Sequence, residues 1–67
     1  MSARDRLQQV YMRCANDAVD PAMPHHVAMC AAENAAMLAD CVLHGSEEDC
    51  QVRVNLLLKA APELFPS

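Results

Sequence analysis

The stretch CVLHGSEEDC, residues 41–50, sets the chain's single glycine beside a serine, midway between two cysteines. Gly45 can stop a helix by taking the left-handed conformation after its last turn. Ser46 can open the next helix, with Asp49 three residues on as a capping box and Glu47 and Glu48 complementing the positive helix end. This reads as a corner between two helices. The rest of the chain is organised around it.

Apolar positions Cys50, Val54, Leu57, Leu58 and Ala61 recur at helical spacing after the corner, and Pro62 stops the pattern. This predicts a helix over 47–61 and a short tail over 62–67. Upstream, Ser2 and Asp5 form another cap signal, followed by Leu7, Val10, Tyr11 and Cys14 on one stripe. A first helix over 3–16 is expected, fading at Asn16 and Asp17. Pro21 and Pro24 suit a loop or a first helical turn. With Asp20 as N-cap, the middle helix is expected over 22–44.

The 67 residues allow one small domain, whose core is marginal at this size. Hydrophobic residues make up 54%, yet Tyr11 and Phe65 are the only aromatics, so the core must be aliphatic. One glycine and few β-branched residues disfavour a sheet. The expected fold is all-α, a small antiparallel helical hairpin or three-helix bundle with a long central helix.

Nine acidic against five basic residues give a net charge of −4, which opposes direct contact with nucleic acid. No unbroken apolar run of about 18 residues occurs, so no membrane span is expected. The opening MSARDRLQQV has no apolar signal-peptide core, and a cytoplasmic location is expected.

Set at about 100° per residue, the middle helix places His26, Met29, Glu33, Asp40 and His44 in one narrow strip. Ala28, Ala32, Ala35, Ala39 and Val42 form a separate seam. The apolar arc exceeds the single face that a surface helix needs. Val52 and Leu56 form a further patch pointing away from the Cys50–Leu57 face. Surplus apolar surface of this kind predicts a covering protein. The expected partner-binding residues are therefore Ala28, Ala32, Ala35, Ala39, Val42, Val52 and Leu56. Leu64 and Phe65 of the tail either pack back or join them.

Cys41 and Cys50 are equidistant from the Gly45–Ser46 corner, and Cys14 and Cys30 from Ala22 in the other. Antiparallel packing would set each pair face to face and select one of three disulfide connectivities. Reduced cysteines serving as small core residues are the expected state in a cytoplasmic chain. An alternative uses His26 with Cys30 and Cys41 with His44 as half-sites for a metal. Cys30 and Cys41 lie about 16 Å apart along one helix, so that site would need two chains.

No glycine-rich loop or oxyanion-hole element accompanies the Cys and His residues, so neither an enzyme nor a cofactor is expected. The expected function is that of a small acidic helical interaction module. It would act as inhibitor, antiactivator, chaperone or adaptor by covering a partner surface, itself forming a homodimer. A Cys/His metal-binding or thiol-redox protein is the alternative.

Overall fold

A computed structural model describes residues 1–66. Three α-helices follow one another: α1 (Ala3–Val19), α2 (His25–His44) and α3 (Glu47–Ala60), with a 3₁₀ turn over Pro62–Leu64. The all-α bundle with a long middle helix is as expected.

Local capping accounts for the starts of α1 and α3. The Ser2 hydroxyl accepts the Asp5 N–H at 3.1 Å. Ser46 and Asp49 form a complete capping box, each side chain accepting the other's backbone N–H at 3.1 Å.

The first corner differs from expectation. α1 continues through Asn16 and Asp17 to Val19, and α2 begins at His25 rather than at residue 22. The reason lies in the two prolines. A residue before proline is pushed out of the helical region, and Asp20, before Pro21, is extended with ψ 116°. Asp20 therefore ends α1 instead of opening α2. Its carboxylate accepts the Ala22 N–H at 2.9 Å, holding the turn. The same constraint on Met23 delays α2 until Pro24 has passed, leaving Pro24 as an N-cap without a side-chain bond.

Gly45 also departs from expectation. Its φ of −76° and ψ of 152° are ordinary extended backbone, not left-handed. Space is what restricts the position: a Cβ there would stand 2.6 Å from the Cys41 carbonyl oxygen.

α1 is the element that joins the fold. It packs along α2 and also against α3, whereas α2 and α3 make few contacts with each other. The Arg4 guanidinium donates to the carbonyl oxygens of Val42 and Gly45, so the start of α1 meets the end of α2 and the two run antiparallel. Arg13 donates to the Glu63 carbonyl at 2.8 Å, so α1 and α3 leave the corner on the same side. The close antiparallel pair is thus α1–α2, not α2–α3. The extents of 34 × 24 × 17 Å follow: two helix layers about 8–10 Å apart give the thin dimension, with α2 and α3 in one layer and α1 across them.

The core lies in that seam. Ala3, Leu7, Val10 and Cys14 of α1 meet Ala31, Ala35 and Leu38 of α2, and Cys50 and Val54 of α3. No buried side chain is larger than leucine. The tail folds back onto it: Leu64 and Phe65 pack against the core, and Arg6 lies over the Phe65 ring at 5.2 Å.

By length and composition alone α2 is apolar enough to cross a membrane, a test that core helices and signal sequences also pass. No single apolar run shows this, because Glu33 and Asp40 interrupt a sequence whose average is nonetheless apolar.

Candidate interaction site

The residues expected to bind a partner divide into two groups. Ala35 is buried in the core beneath α1 and Val42 packs half-buried against it, while Ala28 and Ala39 are half-buried. Ala32 alone of that seam is exposed. The alanine seam is therefore mostly the close-approach surface of the chain's own α1. Small side chains there let the two backbones draw together. Leu64 and Phe65 are likewise half-buried within the fold.

Val52 and Leu56 lie otherwise. They remain 55% and 54% exposed, one turn apart on α3. Opposite them, Met37 of α2 is 48% exposed. Because α2 and α3 separate beyond their corner, these three side chains line an open cleft of about 580 Å³. Cys41 and Gly45 close its narrow end. Asp40, His44, Asp49 and Arg53 supply its polar lining. The sequence pointed to Val52 and Leu56 but not to Met37. Only the splay of the two helices brings Met37 into the same surface.

A smaller groove of about 380 Å³ lies between α1 and α2, lined by Arg4, Gln8, Tyr11, Met12, Ala39, Val42 and Leu43. Met12 and Leu43 are exposed there. Its floor is the tightly joined α1–α2 seam.

The cysteines occupy three environments. Cys14 and Cys50 are buried, Cys41 is half-buried and Cys30 is exposed. Cys30 therefore does not point into the core as the first-corner symmetry suggested: the corner between Val19 and His25 is still centred on Ala22, but α2 buries Ala31, Ala35 and Leu38, a face that leaves Cys30 outside. The second corner does bring its two cysteines together: Cys50 Sγ lies 3.7 Å from the Cys41 carbonyl oxygen and donates to it.

Burial pushes the Cys50 thiol up, and the Cys41 side chain adds to the effect. Burial also raises Cys14, with the Asp17 charge contributing. Both thiols are thus held in the protonated, weakly nucleophilic form.

Among the described residues, no group of three or more His, Cys, Asp and Glu side chains is arranged to hold a metal ion. His26 and Cys30 stand near one end of α2, and Cys41 and His44 near the other. All four are exposed except Cys41.

Comparisons with protein-family models, curated proteins and solved structures find no match to this chain.

Proposed function

We propose that the chain is a small acidic interaction module whose α2–α3 cleft is occupied by a second copy of itself. The observation that carries this reading is the uncovered face of the α2–α3 layer. Helical domains bury the apolar stripe of each layer against another, and here α1 covers one side only. Met37, Val52 and Leu56 are left about half exposed on the other.

Two features favour a second copy as the occupant. Val52 and Leu56 form one wall of the cleft and remain about half exposed, so a two-fold contact would set each copy's pair against the other's. Such self-complementarity is what an isologous interface requires. The polar lining fits the same geometry, since Arg53 of one copy can meet Asp40 or Asp49 of the other.

The dimer would present α1 and the acidic outer faces to a further protein, in the manner of an inhibitor, antiactivator, chaperone or adaptor.

Native mass spectrometry tests the reading. The expected species has twice the 7.3 kDa chain mass, and Leu56→Glu reduces it to one chain while leaving the helical spectrum intact. A wild-type monomer at high concentration, or a Leu56→Glu dimer, rejects the cleft as the interface.

A further inference from the structure

We propose that Cys41 and Cys50 form a redox-closable staple across the Gly45–Ser46 corner, entered at Cys41 by exchange with a small-molecule disulfide. The exchange concerns the chain with its cleft open to solvent, because a second copy seated there would cover Cys41.

Placement distinguishes these two thiols from the others. Cys50 is fully buried beneath the corner, where its sulfur already donates to the Cys41 carbonyl at 3.7 Å. Cys41 is half-buried and lines the cleft, so a soluble disulfide can reach it from solvent. A Cβ at Gly45 would lie 3.3 Å from the Cys41 sulfur, which places that thiol against the corner itself. Cys30 stands about 16 Å away along the same helix and is exposed, while Cys14 is sealed in the core.

The corner is also where a crosslink has most effect. α2 and α3 hold each other weakly elsewhere, and α1 alone ties them together. A bond between Cys41 and Cys50 fixes the angle between the two helices at its origin. That angle sets the width of the cleft.

The exchange proceeds in two steps. The Cys41 thiolate attacks one sulfur of oxidised glutathione and expels a glutathione thiolate, leaving a mixed disulfide on Cys41. Cys50 then gives up its proton and attacks the Cys41 sulfur, expelling the second glutathione. Two protein thiols are oxidised to one disulfide, and one glutathione disulfide is reduced to two thiols. Closure brings the sulfurs to about 2.05 Å. The raised Cys50 thiol slows the second step, and alkaline pH should quicken it.

The test treats the folded Cys30→Ser protein, kept dilute, with oxidised glutathione, followed by intact mass and peptide mapping. The expected product has lost two hydrogens and joins Cys41 to Cys50, with an unfolding midpoint above that of the reduced protein. Cys50→Ala should instead stop at a stable glutathione adduct on Cys41. Should Cys50→Ala lose its helical spectrum, Cys50→Ser provides the same measurement. An adduct that persists on Cys41 while Cys50 is intact, or a bridge from Cys41 to Cys14, overturns the proposal.

Discussion

Glu47 of α3 caps the start of α1, and Arg4 of α1 caps the end of α2. The Glu47 carboxylate accepts the Ala3 N–H at 2.6 Å and the Arg4 N–H at 3.2 Å, at the start of α1. The Arg4 side chain in turn donates to the Val42 and Gly45 carbonyls at the end of α2. Helix ends leave backbone groups without intrahelical partners, and here a residue of one helix serves another. All three helices are thereby joined at one corner of the molecule. Glu47→Gln, which keeps the shape and removes the charge, is expected to cost about 1 kcal/mol in urea unfolding. Combined with Arg4→Met it should give a non-additive loss, since the two residues share one network.

Gly45→Ala tests the second corner. Its new Cβ would meet the Cys41 carbonyl oxygen at 2.6 Å, a backbone atom that cannot swing aside. The corner must then shift, at a cost of about 1–3 kcal/mol. A thermal midpoint unchanged from wild type would show that the corner is slack.

Ala35 and Ala32 should respond oppositely. Ala35 is buried against α1, so Ala35→Leu overpacks the chain's own seam and should lose about 1–3 kcal/mol of folding stability. Ala32 is exposed, and Ala32→Leu should change stability by no more than about 0.5 kcal/mol. A reversed ranking in denaturant melts would place the α1–α2 contact on the wrong face of α2.

The charges of the cleft predict a swap. Arg53→Glu removes the one permanent cation among its lining residues and should weaken association of the two copies. Adding Asp40→Lys to that variant should restore it, because opposite charges again face each other across the two-fold. Sedimentation equilibrium separates these cases. Failure of the second substitution to rescue the first would argue against Arg53–Asp40 pairing.

Stability should fall in alkali. Cys14 and Cys50 hold their protons more tightly in the folded chain than an ordinary thiol does. Once the pH passes the ordinary thiol range, the unfolded state binds fewer protons, and the free energy of unfolding declines. The decline ends when the pH exceeds the raised, folded values. Urea melts of the reduced protein across this range should show it, and Cys50→Ala should flatten the slope. A flat wild-type profile would mean that burial does not hold these thiols protonated.

What was legible in the sequence was what neighbouring residues decide among themselves. Ser2 with Asp5, and Ser46 with Asp49, are caps formed within one turn, and both stand as read. The stripe of Leu7, Val10 and Cys14 needs only helical periodicity, and it is the buried face of α1. The nearness of Cys41 to Cys50 follows from a two-residue corner, which permits little else. Even the misplaced start of α2 had a local cause in the residues before Pro21 and Pro24.

The partner of each face was settled only by packing. α2 is apolar around so much of its circumference that periodicity does not say which side meets α1. Placing Ala31, Ala35 and Leu38 inward took Ala35 of the alanine seam into the core, left Ala32 exposed, and left Met37 beside Val52 and Leu56. Arg4 and Glu47 lie 43 positions apart, and nothing near either one in the chain signals the other. Capping and periodicity are short-range, fixed by backbone geometry within a turn or two. The choice of which helix covers which depends on the summed burial of the whole chain, and that exists only once the three helices have come together.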